Sequence, residues 1–205
     1  MWKEIKAKPT KYNNTIFRSR LEVRWAIFFD ELGIKWKYEP EYDDVEFGGC
    51  RIFYKPDFYL PDYDLWIEVK PSSIIHLSDG EIRKIVGWAK EYFEILVLSG
   101  PPRILIEDSK AHYLYTYNPQ KKKVNRPQPY MRWCECPKCG KIDYRPGGGI
   151  PCSCDKTCYP EPAVDLFDEE LPEPEGHKSQ RLKNACNKAN NHNFDVLSEK
   201  GSSNN

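Results

Sequence analysis

The sequence predicts a mixed α/β fold in which helices flank a β-sheet. Three observations lead to this prediction. Apolar residues recur at three- and four-residue spacing between residues 15 and 33, as on one face of a helix. Two aromatic-rich runs at 51–60 and 65–70 are typical of strands, and a second helical pattern at 78–93 leads into the apolar run EILVLS. The order helix, strands, helix, strand is typical of a mixed sheet with at least one helix packed on it.

The first predicted helix spans residues 15–33. Thr15 is a suitable N-cap, and Gly33 is a natural stop because glycine readily adopts the left-handed conformation at a helix end. The apolar stripe of this helix consists of Phe17, Leu21, Trp25, Phe28 and Leu32. The acidic, aromatic stretch that follows, up to residue 47, predicts a strand and then a loop.

The two aromatic-rich runs predict an antiparallel hairpin with a four-residue turn at 61–64. Leu60 then faces Leu65, and the same register pairs Asp57 with Glu68. Directly opposed side chains have Cβ atoms about 4.5–5.5 Å apart, and like charges at that distance repel. Two opposed carboxylates therefore need a counter-charge, and a hard divalent cation with oxygen ligands would supply it.

Alternation along the second strand places Glu68 and Lys70 on one face. On an exposed strand such a pair is commonplace, and Asp57 after Pro56 would then be an ordinary turn acid. The flanking residues are apolar and aromatic, which instead favours a half-buried strand. In that setting Mg²⁺ bound by the two acids would leave coordination positions for water and phosphate.

Ser78 and Glu81 form a capping-box pattern that predicts the start of the second helix, which extends to about Phe93. Its predicted apolar stripe is Ile82, Ile85, Val86, Ala89 and Phe93. The run EILVLSGPP then predicts a buried strand that ends in a Gly-Pro turn, and ILIEDS and AHYLYTY predict two further short strands.

Four separated elements resemble the PD-(D/E)xK superfamily of restriction-endonuclease-like nucleases. They lie in the segments FRSRLEVRWAIFFDELGIKWKYEP and YKPDFYLPDYDLWIEVKP. Small, phage-type members have a helical R-S-x-x-E, a strand ending P-D-F-Y-L-P, and I-E-V-K, in the order found here. The resemblance covers roughly residues 12–100. It implies a restriction-endonuclease-like core, an α-β-β-β-α-β mixed sheet flanked by helices.

The resemblance also implies a divalent-metal-dependent DNA endonuclease that hydrolyses phosphodiester bonds. Asp57 and Glu68 would hold catalytic Mg²⁺ or Mn²⁺, and Glu22 would complete or support the metal site. Lys70 would stabilise the attacked phosphate, because a lysine beside two carboxylates stays protonated. For Glu22 the alternative is an ordinary helix acid paired with neighbouring arginines. The spacing of these residues is also similar to that in phage junction-resolving endonucleases, which suggests branched DNA; damaged DNA and RNA stay open.

Charge is balanced overall, with 31 basic and 31 acidic residues, but it is segregated along the chain. Candidate nucleic-acid contacts are basic residues of the first helix and of the segment after residue 118: Arg18, Arg20, Lys121, Lys122 and Lys123. A non-catalytic nucleic-acid-binding protein is the alternative function. The segment 161–175 holds seven acids and no base, so a third hypothesis is a protein partner that binds there.

Six of the eight cysteines cluster between residues 134 and 158. The knuckle Cys136-Pro-Lys-Cys139-Gly is typical of zinc sites, because its tight turn directs two thiolates to one ion. Cys152 and Cys154 are the predicted second pair, which would complete a structural Zn²⁺ site in a small C-terminal ribbon. Cys158 is the main alternative ligand, and Cys134 is another. We expect Cys50 and Cys186 to be ordinary residues.

The predicted organisation is a nuclease-like core at 1–120, a basic segment with the zinc ribbon at 121–159, an acidic proline-rich linker at 160–176, and a polar helix with a tail at 177–205. We find neither a long apolar segment nor a signal peptide, so we expect no membrane span. The expected location is the cytoplasm, or a host's intracellular compartment if the chain is phage-encoded. Whether the protein forms a homodimer stays open.

Overall fold

The computed structural model describes residues 7–40, 43–71, 76–103, 112–146, 150–162 and 179–194. Within these ranges the strands and helices follow one another as β1 Thr10–Tyr12, β2 Thr15–Phe17, α1 Arg20–Leu32, β3 Lys37–Tyr38, β4 Asp43–Phe47, β5 Cys50–Tyr54, β6 Phe58–Leu60, β7 Leu65–Lys70, α2 Asp79–Tyr92, β8 Glu94–Ser99, β9 His112–Asn118, β10 Lys123–Val124, β11 Gln128–Glu135, β12 Ile142–Pro146, β13 Glu161–Pro162 and α3 Gln180–Asn191.

The central element is a mixed sheet that confirms the predicted α/β class. Its strand order is β12-β11-β9-β8-β7-β6-β3, with β10 beside β9 and β13 beside β11. Strands β7 and β8 are parallel, whereas the other described pairs of this sheet are antiparallel. Parallel neighbours need a crossover connection, and α2 provides it. None of the helices in these ranges is long and apolar enough to cross a membrane.

Two hydrophobic clusters hold the helices against the sheet. One contains α1, α3 and the side chains of Leu65, Ile67 and Val69 from β7. The other contains α2, the β4–β5 hairpin and Trp66 from the same strand. The predicted alternation along β7 is therefore confirmed, and it leaves Glu68 on the α2 side of the sheet because side chains alternate between faces.

Helix α1 begins later than the sequence predicts. Ser19, not Thr15, is the N-cap: its backbone is extended and its hydroxyl accepts a hydrogen bond from the Glu22 amide. Thr15 lies instead in β2, which pairs with β1. The β-branched pair Thr15-Ile16 suits that short strand, and the serine is a stronger N-cap. Gly33 ends the helix in the left-handed conformation, as predicted.

The predicted strand at 51–60 is divided into β5 and β6. Pro56 lies between them and has no amide hydrogen to continue a ladder. Strand β5 pairs with β4 in a separate two-stranded sheet, so the region predicted as a loop contains a strand. Strands β6 and β7 keep the predicted register, with Leu60 opposite Leu65. That ladder ends at Phe58, and Asp57 lies immediately beyond it.

Helix α2 begins with the predicted capping box, in which Ser78 and Glu81 exchange hydrogen bonds. The buried face of this helix includes Trp88, and Phe93 is exposed rather than part of the stripe. The predicted strand EILVLS is β8, and AHYLYTY contains β9. The prediction for ILIEDS lies outside the described residues.

The C-terminal half continues the central sheet. Strand β11 pairs with both β9 and β12, and Trp133 and Ile142 from this hairpin belong to the α1 cluster. The cysteine-bearing hairpin is thus not the separate appendage that the sequence predicts, because its strands complete a sheet begun by the core. The polar helix predicted at 177–197 contains α3, which buries Cys186 with other small side chains near α1. Most of the predicted linker, and of the 161–175 segment, lies outside the described residues.

Candidate active-site cleft and metal sites

A cleft of about 480 Å³ lies beside β5 and β7. Its walls carry charged and aromatic side chains from five parts of the chain: Arg18, Glu39, Phe53, Tyr54, Lys55, Glu68, Lys70, Glu81 and Lys84. The break at Pro56 creates this site, because it allows β5 to leave the central sheet while β6 continues in it. Asp57 lies at that break, but neither Asp57 nor Glu22 is among the residues that line the cleft; both lie behind its wall, where Arg18 contacts them.

The Asp57 side chain is buried and hydrogen-bonded on both oxygens. Its Oδ2 accepts a hydrogen bond of 2.7 Å from the Val69 amide of β7. Its Oδ1 accepts one of 2.6 Å from Nη2 of Arg18. The bond to Val69 brings Asp57 to the acid-bearing strand, although Asp57 is not itself in the ladder.

Glu68 and Lys70 lie two residues apart on β7 and form an ion pair, with 2.9 Å between Oε1 and Nζ. Lys70 forms a second ion pair of 2.9 Å with Glu81, from the capping box of α2. The other Glu68 oxygen, Oε2, is buried and receives no hydrogen bond of good geometry among the described residues, although the buried Tyr54 hydroxyl interacts with the Glu68 carboxylate. A buried carboxylate oxygen without a full hydrogen bond is costly, so Oε2 is a candidate position for an added cation.

Glu22 is also buried, at the third position of α1. Its Oε1 accepts a hydrogen bond from the Ser19 hydroxyl, at 2.6 Å. Its Oε2 accepts from the Tyr38 hydroxyl at 2.6 Å and from the Arg18 amide at 3.1 Å. These donors are neutral hydroxyl and amide groups rather than the neighbouring guanidinium groups, so the alternative of an ordinary intrahelical ion pair does not describe Glu22.

The three acids influence one another electrostatically. Burial raises the pKa of Asp57 well above its usual value, and the charges of Glu68 and Glu22 raise it further. The Val69 amide and Arg18 lower it, but do not offset this rise. Such a group favours its neutral form unless positive charge is added. The site therefore has a deficit of positive charge at Asp57.

Lys70 has the opposite tendency. Burial alone would lower its pKa, but the neighbouring Glu68 and Glu81 raise it above the usual value. For Glu81, the Ser78 amide and Lys70 outweigh the effect of burial and lower the pKa to about 2. Lys70 is therefore a protonated ammonium group in contact with two carboxylates, but these are Glu68 and Glu81, whereas the sequence predicts Glu68 and Asp57.

The carboxylates do not yet form a compact coordination shell. Among the described residues, no three carboxylate oxygens of this site lie within 4.8 Å of one another. The four cysteine sulfurs do. Arg18 already contacts one oxygen of Asp57, and Lys70 contacts one oxygen of Glu68. Asp57, Glu68 and Glu22 are hard oxygen donors suited to Mg²⁺ or Mn²⁺. The buried Oε2 of Glu68 is a position at which such an ion could bind.

The four cysteines form the more compact of the two candidate metal sites. The Sγ atoms of Cys136, Cys139, Cys152 and Cys154 all lie within 4.8 Å of one another, as predicted. The turn after β11 uses Gly140 in the left-handed conformation, and its amide donates to the Cys136 carbonyl. Four thiols in this arrangement could hold a metal ion such as zinc.

The backbone of this turn also favours the thiolate of Cys136. Burial raises the pKa of this thiol, but amide donors from Cys139 and Lys138 and a hydrogen bond with Cys158 outweigh that effect and lower the pKa to about 6. Thiolate, not thiol, is the form that binds metal. Cys158 stays close to the cluster, with its Sγ 3.4 Å from that of Cys136. Cys134 is buried and is not one of the four.

The predicted nucleic-acid contacts are only partly brought together. Arg18 lies in the cleft. The Arg20 guanidinium instead lies over the Phe194 ring, 5.4 Å from its centre. The three lysines at 121–123 are exposed near the turn between β9 and β10 and are not among the residues that line the cleft.

Sequence reasoning missed several cleft residues. Glu39 and Lys55 form an ion pair of 3.2 Å at the cleft wall, and Tyr38 supports Glu22. Only Glu81 had a signal, the capping box, but that pattern predicts a helix start and not a contact with Lys70. The others lie in short segments whose position depends on the break at Pro56.

No protein-family model matches this chain, and comparisons with curated proteins and with solved structures give no match either. The function therefore has to be inferred from the residues of the two sites and their surroundings.

Proposed function

We propose that the protein is a divalent-metal-dependent endonuclease that hydrolyses phosphodiester bonds of DNA in the Arg18–Lys70 cleft. The observation that carries the proposal is that buried Asp57 and Glu68 lie close enough to interact electrostatically, while Lys70 forms an ion pair with Glu68. Buried acids whose pKa is raised by neighbouring acids are typical of functional sites, because such an arrangement does not stabilise the fold.

The order of the elements supports this proposal. An antiparallel pair, β6 and β7, carries the acids at one end, and β7 runs parallel to β8 through the crossover helix α2. Helix α1 precedes them and contributes Glu22. This order is compatible with the α-β-β-β-α-β core that the resemblance implies.

Asp57 and Glu68 would hold Mg²⁺ or Mn²⁺, with Glu22 supporting the site from α1. A divalent ion bound there supplies Lewis-acid polarisation of the phosphate and a water of lowered pKa. Lys70 places a fixed positive charge at the same point and stabilises negative charge that develops on the attacked phosphate. Glu81 helps to hold this ammonium group in place, because it contacts Nζ in addition to Glu68.

The cleft rim suits a phosphate backbone. Arg18, Lys55 and Lys84 line it together with Lys70, and guanidinium and ammonium groups are the usual contacts to phosphate oxygens. The exposed lysines at 121–123 would add contacts outside the cleft. We assign zinc at the cysteine cluster a structural role, because its four thiols leave no position for substrate.

The test is cleavage of plasmid, linear, branched and damaged DNA, and of RNA, with Mg²⁺ or Mn²⁺. We expect metal-dependent cleavage that falls at least about 100-fold in the Asp57→Ala and Lys70→Ala variants, the size of effect typical of lost charge stabilisation. Arg20→Ala is the control, because it removes a charge whose guanidinium group lies over Phe194 and outside the cleft. Absence of cleavage in every condition, or cleavage unaffected by both cleft variants, would reject the proposal.

One observation favours a second function, that of a non-catalytic nucleic-acid-binding protein. Arg18 and Lys70 already contact the acids, as they would in a site that has no metal. In that case nucleic-acid binding would be unaffected by divalent ions and by Asp57→Ala. Binding that strengthens with Mn²⁺ and loses this response in Asp57→Ala would instead favour the endonuclease. A protein partner at 161–175 and a homodimer are separate questions, which size-exclusion chromatography and deletion of 163–178 would address.

A further inference from the structure

We infer that Arg18 is the resident counter-ion of the carboxylate site, and that a divalent ion can bind Asp57 only by displacing it. This inference rests on the proposed function, since it concerns the same carboxylates. It adds a competition within the chain: the guanidinium group and the metal ion are two cations that approach the same carboxylate oxygen, and their repulsion makes binding of one weaken binding of the other. Arg18 would thus set the metal affinity of the site.

The contacts of Arg18 show an internal cation in the place of an external one. Its Nη2 lies 2.6 Å from Asp57 Oδ1, and its Nε lies 2.5 Å from Glu39 Oε1. The Asp57 side chain is 4% exposed, whereas that of Arg18 is 58% exposed. The arginine therefore reaches into the site from solvent, and it can withdraw without opening the core.

Arg18 is also anchored at its backbone, independently of its side-chain ion pairs. Its amide donates to Glu22 and to the Tyr38 hydroxyl, at 3.1 and 3.0 Å. These bonds fix the start of α1 and the position of Glu22 whichever way the guanidinium group points. A change of side-chain rotamer is thus enough to remove the cation from Asp57.

Electrostatics favours such a movement when a divalent ion arrives. Val69 already occupies one oxygen of Asp57, and Arg18 occupies the other. An ion bound at Asp57 would lie within a few ångströms of the guanidinium group, and like charges at that distance repel strongly in a poorly solvated site. Glu39 offers Arg18 a second partner at the cleft wall, so the displaced side chain keeps an ion pair there.

The same reasoning gives Arg18 two opposing effects. Before a metal ion binds, Arg18 stabilises the buried carboxylate, and this contact opposes binding of the ion. Once displaced, it stays in the cleft wall beside Lys55, where phosphate would lie. Removal of the guanidinium group should therefore strengthen metal binding and weaken cleavage, a combination that loss of a simple phosphate contact would not produce.

The experiment is a calorimetric titration of the zinc-loaded protein with Mn²⁺, without nucleic acid. We expect Arg18→Gln to bind Mn²⁺ about tenfold more tightly than the wild type, which corresponds to about 1.4 kcal/mol. Arg20→Gln should bind as the wild type does, because its guanidinium group lies over Phe194. Asp57→Asn defines which part of the heat comes from this site. Cleavage by Arg18→Gln should fall even at saturating Mn²⁺.

The outcomes separate this inference from the proposed function. Mn²⁺ binding that depends on Asp57 but is equal or weaker in Arg18→Gln would overturn the displacement and leave the endonuclease proposal intact. Binding that appears only in Arg18→Gln would support the displacement. If neither protein binds Mn²⁺ through Asp57, both proposals fail. Should Arg18→Gln not fold, Arg18→Lys, which keeps the charge on a side chain without the guanidinium fork, should bind Mn²⁺ more tightly than the wild type but by less than about tenfold, and equal or weaker binding would overturn the displacement.

Discussion

Asp57 is buried beside two further acids, and only part of this unfavourable charge is offset by Arg18 and Val69. Asp57→Asn removes the charge and keeps a hydrogen-bond acceptor for the Val69 amide. We therefore expect this variant to be more stable than the wild type near pH 8 without added divalent ions. Thermal denaturation should show a higher midpoint for the variant than for the wild type.

The pH dependence of that difference follows from the direction of the shift. The folded-state pKa of Asp57 lies above the unfolded one, so the cost of ionising it is present at high pH and disappears as pH falls below the unfolded value. The advantage of Asp57→Asn should shrink accordingly and vanish below about pH 4. A variant that is less stable than the wild type near pH 8 would show that the ion pair with Arg18 dominates instead.

His112 gives a second prediction at the level of single residues. It is buried, its Nδ1 accepts a hydrogen bond of 3.0 Å from the Ser99 amide, and burial followed by the nearby Arg103 lowers its pKa to about 3. The unfolded state takes up the proton first as pH falls. Stability from this group is thus complete above about pH 6.5 and is lost towards pH 3, at about 1.4 kcal/mol per pH unit.

The variant His112→Asn should reduce this acid sensitivity, because its Oδ1 can still accept from Ser99 and does not protonate. Urea denaturation at pH 5 and pH 7 would measure it, with exposed His76→Asn as the control. An equal loss of stability between the two pH values in wild type and His112→Asn would contradict the prediction.

At this scale the sequence predicted several of the side chains that the structure brings to the cleft region, but not all of them. The register around Leu60 and Leu65 correctly brought Asp57 near β7, since hairpin pairing is local. Spacing along one strand likewise predicted the Glu68–Lys70 pair. Glu39 could not be predicted in the same way, because its place beside Arg18 depends on contacts between segments distant in sequence.

Among the elements, α2 and the β4–β5 hairpin show how one residue sets a packing distance. A Cβ atom added at Gly87 would lie 2.8 Å from Val45 Cγ2, and Val45 is fully buried. We expect Gly87→Ala to destabilise the protein by about 1–3 kcal/mol through overpacking. This effect outweighs the gain of up to about 1 kcal/mol in helix propensity.

Gly80→Ala is the matched control in the same helix. The nearest atom to its added Cβ is Ser78 Oγ at 4.0 Å, so that substitution should be neutral or stabilising. In the double variant with Val45→Ala, Gly87→Ala should cost less than it does alone, as a double-mutant cycle in chemical denaturation would show. Equal costs in both backgrounds would mean that the contact with Val45 does not limit the packing.

Local sequence patterns predicted where helices begin and end better than they predicted which strands pair with each other. The capping box at Ser78 and the stop at Gly33 are satisfied within a few residues, and both were predictable. The separation of β5 from the central sheet was not, although Pro56 was a visible warning of a broken ladder. Strand pairing depends on tertiary contacts, and the periodicity of a sequence carries no information about these contacts.

On the scale of the whole molecule, the cysteine cluster lies at the end of two strands of the central sheet. Removing the metal, or replacing Cys136 by serine, should therefore lower the unfolding temperature of the entire protein by more than about 5 °C, in one transition. Zinc content measured by mass spectrometry should be one ion per chain before chelation. Exposed Cys50→Ser is the control.

A separate, early transition that leaves the main transition unchanged would contradict that prediction and restore the independent ribbon expected from sequence. The knuckle itself was predictable from its spacing, and the four predicted ligands do meet. The pairing of β11 with β9 was not predictable, because the register of these two strands is irregular and the sequence of each strand does not indicate its partner.

Lys70 is fastened at two points, to Glu68 on its own strand and to Glu81 at the first turn of α2. That helix meets the β4–β5 hairpin, whose Phe53 also lines the cleft. Because Gly87 of α2 packs against Val45 of this hairpin, a displacement of the hairpin would move α2 and with it Glu81, one of the two carboxylates that hold Lys70. The position of the Lys70 ammonium group therefore depends on packing that lies outside the cleft.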